Sequence, residues 1–126
     1  MWSNQLVNAR AFDYYPPLKK IREYFETNYT EPISLSEAAA IVGLERKHFS
    51  KLFRNKIGIG FKEWTTVIRI RMAIDAMRKE HRPLTGIAFA VGFQDFRTFE
   101  RAFKKQTGLT PREFRRRIVA QLDDVA

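Results

Sequence analysis

Apolar residues recur every three or four positions along nearly the whole chain, and nowhere do they alternate as a strand bounded by turns. The pattern predicts an all-α protein. Leu18, Ile21, Phe25 and Tyr29 share one face of a first helix that starts near Pro17, where a missing amide is harmless, and stops at Glu31 before Pro32. In "SLSE", Ser34 and Glu37 have the spacing of a capping box, which opens a second helix that runs to Gly43. "GLERKHFSKLFRNKIG" supplies a turn and a third helix with Phe49, Leu52 and Phe53 inward, ending before Gly58. One long helix follows, from about Lys62 to Glu80, and Pro83 breaks the chain and restarts it.

The same order of elements then occurs again. An offset of 49 residues sets Leu35 on Leu84, Ala39 on Ala88, Val42 on Val91, Gly43 on Gly92 and Leu44 on Phe93. With one residue added in the turn, an offset of 50 sets Phe49 on Phe99, Phe53 on Phe103, Gly58 on Gly108, Glu63 on Glu113 and Trp64 on Phe114. Each copy reads as a short helix, a turn with glycine, a longer helix and a glycine stop: a helix-turn-helix, twice. The expected organisation is an N-terminal segment over 1–15, a first helix-turn-helix subdomain over 16–60, a linker helix over 61–81, a second subdomain over 82–118 and a tail over 119–126. Periodicity alone equally fits a four-helix bundle or an α-repeat scaffold.

Charge changes that picture. The 126 residues hold 23 Lys and Arg against 14 Asp and Glu, a net charge of +9, which points to a polyanionic partner. The excess sits on the second helix of each pair: five cations against one carboxylate over 45–56, and four against two over 94–105. That is the helix which, in a DNA-binding helix-turn-helix, enters the major groove. A linker helix of 19 residues spans roughly 28 Å at 1.5 Å per residue. Adjacent major grooves on one face of B-DNA recur at about 34 Å. One chain is thus expected to offer two recognition helices to adjacent grooves of a non-palindromic site, as a monomer.

Other classes lose ground. There is no cysteine, and the two histidines, His48 and His81, form no metal-ligand spacing; no phosphate loop or paired-carboxylate motif is present, so no enzyme, cofactor or metal is expected. No apolar run suits a membrane span and the N-terminus lacks a signal-peptide layout, so the expected place is the cytoplasm, at the nucleoid. The competing reading is a protein-interaction module whose basic faces bind RNA polymerase or an acidic partner.

The second copy, "PLTGIAFAVGFQDFRTFERAFKKQTGLTPREFR", resembles the signature of the DNA-binding domain of AraC/XylS transcriptional regulators. The matching residues are Ile87, Ala88, Gly92, Phe93, Phe99, Arg101, Phe103, Lys104, Gly108, Thr110, Pro111, Phe114 and Arg115. Leu35, Ala39, Gly43, Leu44, Phe49 and Phe53 match in the first copy, and Arg69, Ile70 and Ala73 in the linker helix; the resemblance covers about Leu18 to Arg115. It implies a transcription regulator, most often an activator that contacts RNA polymerase. Members usually carry a sensing or dimerisation domain, for which 126 residues leave no room, so the chain reads as a stand-alone type or an excised domain; no small-molecule ligand is evident. Glu45 stands where a serine cap is common, and Arg97 and Glu100 where small polar residues are common.

Individual roles follow from helical spacing. With Phe49, Leu52 and Phe53 inward, Lys47, Ser50 and Lys51 are expected at base edges, and Arg46 and Arg54 at phosphates. With Phe96, Phe99 and Phe103 inward, Arg97, Thr98, Glu100 and Arg101 are expected at bases: an arginine to guanine, Glu100 to cytosine N4, the Thr98 methyl to thymine. Lys104, Lys105, Arg112 and Arg115 are expected at phosphates, with backbone amides near Leu35, Thr110 and Arg112. The competing role for Arg101 is an ion pair with Glu100 or Asp95. Asp95 is expected to cap its helix, Trp64 to pack in the core, His48 to be a partly buried aromatic and His81 to be solvated. Residues 1–15 hold Trp2, Leu6, Val7, Phe12, Tyr14 and Tyr15. Packing on the first helix, binding a partner and a linker remnant all fit them.

Overall fold

The computed structural model describes residues 7–125, and among these every regular element is a helix. In order they are α1 (Arg10–Tyr14), α2 (Pro16–Asn28), α3 (Leu35–Ile41), α4 (Arg46–Ile57), α5 (Phe61–Lys79), α6 (Leu84–Ala90), α7 (Phe96–Thr107) and α8 (Pro111–Val125). The all-α expectation holds. The chain divides into two compact units, one ending at Val67 and one beginning at Ile68, so the division falls inside α5.

The first unit is built on aromatic packing. Phe53 is fully buried and meets Phe12 at 5.8 Å, Phe49 at 5.9 Å, Phe61 at 5.5 Å and Trp64 at 5.5 Å between ring centroids. Trp64 also meets Phe25 at 5.3 Å, so α2, α4 and α5 close on one ring cluster. Such tilted and edge-on pairs each contribute about 0.5–1.5 kcal/mol beyond the apolar area they bury. Trp64 is in the core, as its repeat partner Phe114 suggests.

The N-terminal segment joins this unit. Residues 10–14 form α1, which buries Ala11 and Phe12, and the amide of Asn8 donates to the carbonyl of Ile57 at 2.8 Å. Of the three readings of 1–15, packing on the first helix describes residues 8–14, through contacts of α1 with α2 and α4. Arg22 fastens the corner, with Asp13 at 2.7 Å and its guanidinium 5.4 Å from the Phe12 ring centre. Trp2 and Leu6 lie outside the described residues. Helix α2 ends at Asn28, before Glu31, because Thr27 and Asn28 donate side-chain hydrogen bonds to the Tyr24 carbonyl (3.1 and 2.8 Å) and compete with the helical ladder.

The second unit is seated by phenylalanines. Phe99 and Phe103 are fully buried; Phe99 meets Phe93 at 5.2 Å and Phe96 at 5.6 Å, and Phe103 meets Phe114 at 5.3 Å. Ile70, Ala73, Ile74 and Met77 of α5 and Ile87 and Ala88 of α6 are buried too. Helix α8 continues through the expected tail to Val125.

Candidate nucleic-acid interface

The turns that aim α4 and α7 are built alike. After α3, Gly43 donates to Ala40 at 3.1 Å and Leu44 to Ala39 at 3.0 Å; after α6, Gly92 donates to Phe89 at 3.1 Å and Phe93 to Ala88 at 3.0 Å. Both glycines hold φ in the left-handed region, +73° and +106°, where a side chain would be strained. Each longer helix begins on a carboxylate cap: Glu45 accepts from the Lys47 amide at 3.0 Å, and Asp95 from the Thr98 amide at 2.7 Å. Each ends on a left-handed glycine, Gly58 or Gly108, whose amide returns to the carbonyl of Arg54 or Lys104.

The helix faces divide as helical spacing requires. Helix α4 buries Phe49, Phe53 and Ile57, and α7 buries Phe99, Phe103 and Gln106. Arg46, Lys47, Lys51 and Arg54 are exposed on α4, and Arg97, Thr98, Arg101, Lys104 and Lys105 on α7. Ser50 and Glu100 are half-buried, occupying the same register at the seam between core and exterior. Leu52 and Phe96, expected inward, are half-buried as well. Arg97, Glu100, Arg101, Lys104 and Lys105 line one open concavity together with Thr110.

His48 corrects the sequence reading. It is exposed, not partly buried, because it stands one residue before the inward Phe49 and so about 100° away around the helix. The offset of 50 places it in the register of Thr98, and places Asn55, also exposed and not foreseen, in the register of Lys105. Applying that offset to every exposed position, beyond the matching apolar ones, finds both. His81 is exposed as expected.

None of the exposed arginines or lysines just named on α4 and α7 forms an ion pair within the described residues. Arg101 is thus not held by Glu100 or Asp95. Asp95 is the helix cap: the Thr98 amide and hydroxyl (2.9 Å) hold its carboxyl below the usual range, against a small desolvation effect, and Arg101 and Arg97 add to the lowering. The Thr98 hydroxyl therefore donates to Asp95, which leaves its methyl and the hydroxyl oxygen as an acceptor for an outside contact.

The expected anion positions at helix starts are partly filled from within. Thr110 donates its amide to Glu113 (2.8 Å) and caps the Glu113 amide in return (3.2 Å); Ser34 and Glu37 do the same at α3. Of the backbone named near Thr110, this leaves the Arg112 amide, since Pro111 has none. Arg112 is exposed. Arg115 is half-buried, and one terminal nitrogen of its guanidinium is buried without a hydrogen-bond partner.

Two helix-turn-helix pairs, matched in turn, cap, core face and exposed cations, define a tandem helix-turn-helix protein. Comparison with known proteins agrees. The helix-turn-helix domain family matches residues 38–117. An uncharacterised helix-turn-helix-type transcriptional regulator of Staphylococcus aureus strain MSSA476 is 33% identical over 98 residues, covering 78% of this chain and 13% of that protein. The C-terminal domain of AraT, a response regulator from Geobacillus stearothermophilus, matches at 26% identity and a TM-score of 0.77, covering 81% of this chain and 85% of that one. A transcriptional regulator with an AraC-type DNA-binding domain from Chromobacterium violaceum matches at 25% and 0.76, covering 82% and 92%. The chain belongs to the AraC-type helix-turn-helix transcriptional regulators. It spans only 13% of the length of the staphylococcal relative.

Proposed function

We propose that the chain binds double-stranded DNA in a sequence-specific manner and regulates transcription as an activator in contact with RNA polymerase. As a monomer it lays α4 and α7 in adjacent major grooves of a non-palindromic site. It acts by binding and not by catalysis, in the cytoplasm at the nucleoid. Lys47, Ser50 and Lys51 on α4 and Arg97, Thr98, Glu100 and Arg101 on α7 take base edges; Arg46, Arg54, Lys104, Lys105, Arg112 and Arg115 take phosphates. His48 and Asn55 join the first face.

One observation carries this reading: three of the five cations exposed on α4 recur on α7 in the same helical register, Lys47 with Arg97, Lys51 with Arg101 and Arg54 with Lys104, and none of these six forms an ion pair within the described residues. Solvated helix faces have no reason to repeat in register. Selection from random duplex DNA, followed by titration at several salt concentrations, tests it. The expected result is two unlike half-sites about one helical turn apart. Equal binding to every sequence would reduce the function to non-specific electrostatics, and no binding would favour an acidic protein partner.

A further inference from the structure

The junction between α4 and α5 differs from its counterpart between α7 and α8. At the second, Thr110 caps α8 in a capping box with Glu113. At the first, Glu63 stands in the Glu113 register, but Gly60 stands in that of Thr110 and has no side chain with which to cap α5. Gly60 is not in the left-handed region, so its backbone does not call for glycine. The space beside it is taken instead by the end of a flexible side chain. A Cβ built on Gly60 would stand 2.7 Å from Nη2 and 3.4 Å from Cζ of Arg54. The guanidinium lies over the bare glycine backbone.

We propose that Gly60 is a positioning residue for DNA binding: its missing side chain seats the Arg54 guanidinium at the α4–α5 junction, where Arg54 meets a backbone phosphate, at the cost of the helix cap that the second copy keeps. The proposal rests on the DNA-binding reading above. Arg54 is exposed and has no ion-pair partner among the described residues, so the seat orients a cation that is open to an external anion. A guanidinium presents its donors in a fixed fork, so displacing it from this seat takes the charge and its donors away from the phosphate together.

The test compares the wild-type chain, Gly60→Ala, Gly60→Thr, Arg54→Ala and the Gly60→Ala/Arg54→Ala double variant on a mixed-sequence DNA duplex. Each added side chain displaces the far end of a flexible residue, so both Gly60 variants stay folded. Gly60→Thr completes a box with Glu63 and raises the melting temperature. Both variants nevertheless weaken binding, and the slope of log affinity against log salt falls by about 0.9, the signature of one lost phosphate contact. In the Arg54→Ala background, Gly60→Ala has no further effect. In the free protein, the Arg54 Nε–H resonance moves in both Gly60 variants.

An unchanged salt slope in Gly60→Ala, an equal loss with and without Arg54, or an unmoved Arg54 resonance would each overturn the proposal. If the wild-type chain fails to bind the duplex, the DNA-binding reading falls first and the proposal with it. Wild-type binding with an insensitive slope removes the proposal alone.

Discussion

Asp95 holds Thr98 at two points: one carboxylate oxygen accepts the Thr98 amide at 2.7 Å and the other its hydroxyl at 2.9 Å. The pair closes the start of α7 and fixes one side chain of its exposed face. Because the native carboxyl is held low, its contribution to stability is fully present above the unfolded-state value and is lost as pH falls through the lowered native one. Glu37 and Glu113 are lowered in the same way by their own capping partners, Ser34 and Thr110. Thermal melts should therefore show a fall in stability that begins as pH enters the ordinary carboxylate range and is complete only below the lowered native values. Asp95→Ala should lower the melting temperature at neutral pH and make the remaining acid loss shallower; an unchanged acid limb would assign the loss to other groups.

Gly108 closes α7 with φ at +81°, and a Cβ built there meets nothing within 4 Å. The cost of Gly108→Ala is then purely that of a left-handed backbone, about 1–2 kcal/mol. Chemical denaturation should give that loss, with an unchanged m-value.

Phe53→Ala opens a cavity where four rings meet, and such truncations typically cost about 3–5 kcal/mol. The loss should appear in denaturant melts followed by Trp64 fluorescence, since Trp64 is one of the four.

Arg101→Ala should relax preference at one position of one half-site, by about 1–3 kcal/mol, with little change elsewhere. Uniform weakening across all sequences in a binding-site selection would move Arg101 to the phosphate class.

Much of the fold is legible in the sequence because local rules and burial agree there. Ser34 with Glu37, Asp95, Gly58 and Gly108 each signal a helix end that the backbone then uses. Helix α1 is different. It has five residues, no side-chain cap and a proline immediately after Tyr15, so no local rule favours it. It exists through tertiary contacts, Phe12 on Phe53 and Trp64 and the Asn8 amide on Ile57, which periodicity does not report. At the interface, apolar spacing identifies the outward faces of α4 and α7. His48 is exposed, against the sequence expectation, because an aromatic neighbour in sequence is not a neighbour on a helix face. The seat of Arg54 on Gly60 is invisible to spacing, since it depends on where a six-residue step folds back through Gly58.

The two turns keep the same hydrogen bonds up to Leu44 and Phe93, yet the caps that follow, Glu45 and Asp95, stand one residue and two residues further on. The extra residue is Gln94, exposed and outside the bonded turn. The molecule thus carries, in its own second half, a completed insertion experiment. It marks the gap between Leu44 and Glu45 as the place where a residue can be added without losing the hydrogen bonds of the turn, an engineering handle on the first helix pair.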